Sequence, residues 1–183
     1  MDNFESTNYA IHYRNIKYPR LEFKTGTLQL ILPKQYKNHQ QLLEKHKKWI
    51  RKKQNTIQNA LQESKTRKLD QTRTVKQLKT IIYAYVQQYQ EELDTKINKT
   101  IYRKMKTKWA SYSKNRNLTI NTLLRYLPQN LVKYIIYHEL THSKERKHNE
   151  KFWNIIQDKF HDYTAIEKDL LIYWFLVQDI LNH

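Results

Sequence analysis

The pentapeptide His138-Glu139-Leu140-Thr141-His142 constrains the chain more than any other stretch. Two imidazoles four residues apart lie one above the other on a helix, so they act together only if the turn between them is helical. Turned at about 100° per residue, Leu131, Ile135, His138 and His142 share one arc, with Glu139, Val132, Ile136 and Leu140 beside it and Lys133, Tyr134, Tyr137 and Thr141 opposite. The imidazoles therefore point where the apolar side chains point, into the body of a domain. Two inward imidazoles suit one zinc ion, and Glu139 flanks the position left for water.

Five polar residues separate His142 from His148. The interval matches the longer zinc motif of metzincins, but Glu145 stands where that motif has a turning glycine. His148 supplies a third imidazole if the helix ends near Ser143 and the chain folds back. Asn149 suits the N-cap of a following helix, whose Phe152, Trp153, Ile155, Ile156 and Phe160 form an apolar stripe. Thr164-Ala165-Ile166-Glu167 has the capping-box pattern, and Leu170 to Leu181 continues as an amphipathic C-terminal helix. Glu167 and Asp169 on that helix are alternative third ligands, because zinc also accepts carboxylate oxygens.

Upstream, Tyr9 to Pro33 alternates apolar and polar residues and is broken at Pro19 and Gly26, which predicts about three antiparallel strands. His39 to Ala60 reads as one basic amphipathic helix with Leu42, Leu43, His46, Trp49, Ile50 and Ile57 on its apolar side. The polar stretch from Leu61 to Arg73 is a connection, dividing the chain into an N-terminal module over residues 1–70 and a core over 71–183, or joining them as one continuous domain. Thr74 to Asn98 predicts a long helix striped by Val75, Leu78, Ile82, Tyr85, Tyr89 and Leu93. Thr100 to Ala110 then has the period of a strand, Lys114 to Asn117 makes a turn and Leu118 to Ile120 pairs back, with Pro128 opening the histidine helix.

With no cysteine in the chain, zinc must take His, Glu or Asp. The first residues have neither a basic nor an apolar leader segment, so a cytoplasmic location is expected. The longest apolar run, Leu170 to Val177, is too short for a membrane span. Through His138 there are 28 Lys and Arg against 9 Asp and Glu, and between Thr95 and His138 ten basic residues and no acidic one. An AT-rich coding sequence inflates Lys, Asn, Ile and Tyr at the expense of Gly; a surface for nucleic acid or another polyanion is the functional alternative.

Met105 to Ser113, Asn117-Leu118, Tyr134 to His142, and His148 with Phe152-Trp153 resemble the YgjP-like metallopeptidase domain, a zincin-like relative of the SprT and WLM proteases. The early strands followed by a helix bearing Trp49-Ile50 resemble it too. The resemblance implies an α+β fold with a zincin-like core of metal-binding helix, flanking helices and small antiparallel sheet, and a zinc-dependent peptidase with one Zn2+ per chain. Its ligands would be His138, His142 and His148, and its general base Glu139, acting on a zinc-activated water. Trp109, Ala110, Ser111 and Tyr112 would pair with an extended protein or peptide substrate. The family usually has Gly and Cys at the positions of Ala110 and Tyr112. Candidate oxyanion stabilisers are His161, Tyr163, Tyr126 and Tyr112. The competing readings are a nucleic-acid-associated accessory protein with a structural or vestigial metal site, and a SprT-like protease acting on DNA-bound proteins.

Overall fold

The computed structural model describes residues 2–4, 7–24 and 26–182, with side chains for 7–24 and 26–178. The chain divides into two compact units, Met1–Glu63 and Ser64–His183. The architecture is mixed α+β.

In the first unit, strands β1 (Asp2–Phe4), β2 (Thr7–Arg14), β3 (Arg20–Lys24) and β4 (Thr27–Pro33) form one sheet in the order β1-β2-β4-β3. Leu28, Leu30 and Leu32 of β4 are fully buried, and Tyr9 of β2 packs with them. The pairing is not wholly antiparallel as expected: β2 and β4 run parallel, with Tyr9 opposite Leu28 and Tyr13 opposite Leu32. Alternation specifies which face a side chain takes, not the sense of pairing. Here β3 and β4 form a tight hairpin through Gly26, whose φ of 86° is open to a residue without a Cβ, and β4 then slots in beside β2. The expected single helix is two, α1 (His39–Lys45) and α2 (Lys47–Ser64), separated at His46, whose N–H is shared between the carbonyls of Leu42 and Leu43. Leu42, Leu43 and Ile50 cover the sheet.

The second unit starts from α3 (Val75–Glu92), opened by a full capping box: Gln77 N–H donates to Thr74 Oγ1 and Thr74 N–H to Gln77 Oε1. Leu78, Ile82, Val86 and Tyr89 form its buried stripe. The helix stops at Glu92 rather than near Asn98, because Asp94 turns left-handed at φ 38° and Thr95 N–H returns to the Gln90 carbonyl. The polar stretch before α3 is folded onto its own unit: Arg67 pairs with Asp169 at 3.0 Å, and Arg73 donates to the Leu127 carbonyl at 2.7 Å.

Strands β5 (Lys99–Arg103), β6 (Ala110–Tyr112) and β7 (Asn117–Asn121) make a second sheet in the order β5-β7-β6. The β6–β7 hairpin is antiparallel as expected, whereas β5 pairs parallel to β7, so the small sheet is mixed rather than antiparallel. The strand expected over Thr100 to Ala110 breaks between Arg103 and Ala110 for a tertiary reason. Asn121, completely buried at the end of β7, donates through Nδ2 to the carbonyls of Met105 and Lys108 at 2.9 and 2.8 Å and accepts the Met105 and Leu123 amides, each at 3.2 Å. It replaces the strand partners that residues 104–109 lack.

A 3-10 turn (Thr122–Tyr126) leads into α4 (Gln129–Thr141), with Pro128 at its N-cap. Most of α4 is buried, including Tyr134, Tyr137 and Thr141, which the helical projection sets opposite the imidazoles. The helix has packed neighbours on several sides, α3, β6, α5 (Glu150–Lys159) and α6 (Tyr163–Asn182), so a single apolar arc understates it. Asn149 caps α5 by accepting the Phe152 amide at 3.1 Å. No capping box forms at Thr164: α6 already begins at Tyr163, and the Glu167 carboxylate turns to Tyr134 instead. No helix among the described residues is long and apolar enough to cross a membrane.

Asn121→Ala strips partners from two part-buried carbonyls and two amides, each costing up to roughly 1–3 kcal/mol when left unpaired. We expect a loss of about 3 kcal/mol in urea denaturation, whereas removing the exposed Tyr83 side chain changes stability by less than about 0.5 kcal/mol.

Candidate metal centre

His138 and His142 project from α4, and His148 comes from the loop that follows it. One nitrogen from each lies within 4.8 Å of the others. The loop closes without a glycine: Ser143, Lys144 and Glu145 amides return to the carbonyls of Leu140 and Thr141, and Glu145 is not among the positive-φ residues. Glu145 also draws the loop in, since its carbonyl accepts the Nδ1 proton of His142 at 3.1 Å and its side chain accepts the Lys147 amide. A carbonyl can only accept, so this bond leaves the lone pair of His142 on Nε2.

Phe152, completely buried on α5, lies beneath all three rings, with centroid distances of 4.9, 4.8 and 4.6 Å to His138, His142 and His148. Trp153 closes against His148 at 5.7 Å and stacks on Tyr163 at 5.0 Å. The sequence pattern marked Phe152 as one member of an apolar stripe, and the structure makes it the common support of the cluster.

Burial first, and then the neighbouring imidazoles of His148 and His142, lower the His138 pKa to about 3. His148, the most exposed of the three, is also lowered by burial and then by His142. Both rings are therefore neutral at physiological pH and carry a free lone pair. The Nε2 atoms of His138 and His148 stand 3.0 Å apart. Zinc binds imidazole nitrogen at about 2.0–2.1 Å, which sets the nitrogens of a tetrahedral site about 3.4 Å from one another. Three imidazoles spaced in this way fit such an ion.

The other nitrogen of His138, Nδ1, is buried without a hydrogen bond and faces Glu167 Oε1 at 3.7 Å. That oxygen accepts the Tyr134 hydroxyl at 2.5 Å. Glu167, an alternative ligand in the sequence reading, thus stands behind His138 and outside the cluster of three nitrogens. Asp169 is engaged with Arg67. Tyr134 was missed by the sequence reading, although its position four residues before His138 puts it on the same helical face, with the rings 5.9 Å apart.

Glu139 enters the same cavity, of about 360 Å³, which is also lined by all three histidines, Lys108, Tyr134, Glu167 and the run Trp109 to Tyr112. Burial raises the Glu139 carboxyl to about 7, against the opposing pull of the Tyr112 amide, which donates to it, and of the Lys108 ammonium. All four residues expected to meet substrate line this cavity. Ala110 packs its methyl group into the core, and Trp109 is held by an Nε1 bond to the Leu170 carbonyl at 3.4 Å and an edge contact with Trp174 at 4.8 Å. Strand β6 ends its sheet, leaving its outer edge without a strand partner among the described residues. Of the oxyanion candidates only Tyr112 lines the cavity; His161 is exposed, Tyr126 lies against Arg125, and Tyr163 is stacked on Trp153.

An acid between two of three converging imidazoles, beside an open strand edge, defines a metallohydrolase type of centre. The profile of the YgjP-like metallopeptidase domain matches residues 60–172, more than half of the chain, and the chain belongs to that family. Among solved structures it is similar to the metallopeptidase zymogen of Pyrococcus abyssi abylysin, with 21% identity over 49% of this chain and 91% of that one and a TM-score of 0.45. It is also similar to the metallopeptidase zymogen of Methanocaldococcus jannaschii jannalysin, with 33% identity over 50% of this chain and 87% of that one and a TM-score of 0.43. A comparison with curated proteins gives no match.

Phe152→Ala leaves a void under three rings at once. Truncating a buried phenylalanine costs about 3–5 kcal/mol, and we expect that loss by urea denaturation of metal-free protein.

Proposed function

We propose that the chain is a zinc-dependent peptidase with one zinc per chain held by His138, His142 and His148, and with Glu139 as its general base. The observation that carries this reading is the convergence of three imidazoles on one point beside the Glu139 carboxyl. An all-imidazole donor set in a chain without cysteine suits zinc among the common divalent ions. When bound, the ion supplies Lewis acidity, lowering the pKa of water and polarising a peptide carbonyl.

The residues of the chain do the rest. A Glu139 carboxylate oxygen takes a proton from the attacking water and delivers it to the departing amine nitrogen. Glu167, fixed by the Tyr134 hydroxyl, faces His138 Nδ1 and favours the tautomer with its lone pair on Nε2, as the Glu145 carbonyl does for His142. The outer edge of β6 receives an extended peptide as an added strand, and Trp109 and Leu170 keep the cavity wall apolar. The reading of the basic charge as a nucleic-acid surface, with the metal merely structural, gains nothing from the comparisons. A purely structural centre would also have no use for a carboxyl at position 139.

Elemental analysis of protein never exposed to chelator should find about one zinc per chain; metal-free protein would defeat the proposal. His148→Ala should abolish zinc retention, and Glu167→Gln should weaken zinc affinity roughly 10–100-fold without abolishing it. If Glu167→Ala lost the metal and His148→Ala kept it, the ligand set would be wrong. Glu139→Gln should retain zinc and lose peptide hydrolysis by about 10²–10⁴-fold, measured on a peptide library beside the wild type.

A further inference from the structure

The cavity at the imidazoles is not the largest hollow of this unit. A groove of about 850 Å³ meets it at Tyr112 and His142, which line both. Lys96, Lys114, Arg116, Lys144 and Arg146 line the groove, against two acids, Glu91 and Asp94. All five cations are exposed, and none forms an ion pair among the described residues. Lys144 Nζ donates to the Asp94 carbonyl at 3.2 Å, bridging the end of α3 and the loop after α4.

The backbone fixes where two of the groups lining the groove stand. Among the described residues two non-glycine residues have positive φ, Asp94 at 38° and Arg116 at 55°, and both line this groove. The left-handed region is unfavourable for a residue with a Cβ, tolerable for Asp and more costly for Arg. Arg116 is nevertheless held there from both sides: its N–H donates to the Ser113 carbonyl at 3.0 Å and its carbonyl accepts the Asn98 amide at 2.8 Å. Glycine would relieve this turn but would present no guanidinium to the groove. The hairpin turn between β6 and β7 thus fixes Arg116, and the end of α3 fixes Asp94, at the rim of the groove.

We infer that this groove is a subsite for acidic side chains of the substrate, located N-terminal to the scissile bond; the inference rests on the peptidase reading above. Strand β6 runs from Ala110 at the imidazole cavity to Tyr112 and then, through Ser113 and Lys114, into the groove. Antiparallel pairing is the slightly more stable sense, and a peptide added to β6 in that sense lays its N-terminal part over the cations. Glu91 and Asp94 interrupt the positive lining and would repel a continuous phosphate backbone. Carboxylates spaced along a strand can instead settle beside the cations and clear of the two acids. Each exposed pair is weak, so discrimination is collective and screened by salt.

The test uses the full zinc-loaded chain and fluorescein-labelled peptides sharing one central segment, with three Glu, three Ala or three Lys placed on its N-terminal or its C-terminal side. Anisotropy with the Glu139→Gln protein should show the N-terminal Glu peptide binding about tenfold tighter than its Ala counterpart, a difference lost at high salt. Lys114→Glu with Arg116→Asp, the latter chosen because Asp tolerates the left-handed region, should abolish that preference; Lys96→Glu with Arg146→Glu, away from the turn, should do the same if the first pair fails to fold. The wild-type kcat/KM values should follow the same order. Equal binding of Glu and Ala peptides, or a preference surviving both double variants, overturns the subsite. A preference for C-terminal Glu overturns its orientation, and displacement of the peptide by a tighter-binding single-stranded oligonucleotide overturns its acidic-peptide character. Selective binding without hydrolysis of any peptide by the wild type would refute the peptidase reading while upholding the charge selection of the groove.

Discussion

Three imidazoles held within reach of one another are the constraint on which the second unit depends. The rings have to be kept close enough to share one ligand, and this demand is met by packing. Phe152 touches all three and is itself completely buried. Its position follows from the Asn149 cap that starts α5, so one hydrogen bond after His148 both begins a helix and brings the supporting ring under the cluster. Burial in turn lowers the proton affinity of His138 and His148, keeping their lone pairs available. The same environment acts in the opposite sense on Glu139, whose carboxyl is raised toward neutrality.

The facing wall depends on a different kind of interaction. Strand β6 lies beside α4 because residues 104–109 leave the sheet and return, and Asn121 satisfies the backbone groups exposed by that detour. A buried carboxamide using both donor protons and its acceptor oxygen has little freedom, so the wall is firmly positioned. Trp109 adds an anchor on α6 through Leu170 and Trp174. The Tyr112 amide then reaches the Glu139 carboxylate, tying the strand directly to the acid. The departures from the family pattern at positions 110 and 112 are absorbed in this arrangement: the Ala110 methyl is buried, and Tyr112 takes part through its backbone and lines both hollows.

The charge of the chain takes on a more local meaning in the structure. As a count it pointed equally to base composition and to a polyanion partner. In space, five unpaired cations gather in one groove that opens into the imidazole cavity, and the two left-handed non-glycine residues lie in its lining. Concentration at one place beside a reactive centre is a stronger statement than net charge, because field effects at the surface fall off within about a Debye length of roughly 8–10 Å.

Local periodicity and spacing determined a good deal of this protein. The histidine helix, the return of the chain after it, the Asn149 cap and the start of α3 at Thr74 all follow from short-range rules, whereas the place of residues 109–112 at the cavity came from the family resemblance. Those rules act within a few residues, which is why they can be read from the chain alone. Tyr134 was available by the same spacing and was misplaced only by reducing a helix with several packed neighbours to one arc. Other features were decided by tertiary structure: the parallel pairing of β2 with β4 and of β5 with β7, the break before Ala110, the place of Glu167 behind His138, and Phe152 as a common support. Each depends on a partner distant in sequence, and a period of two or 3.6 specifies which way a side chain faces but not what it meets.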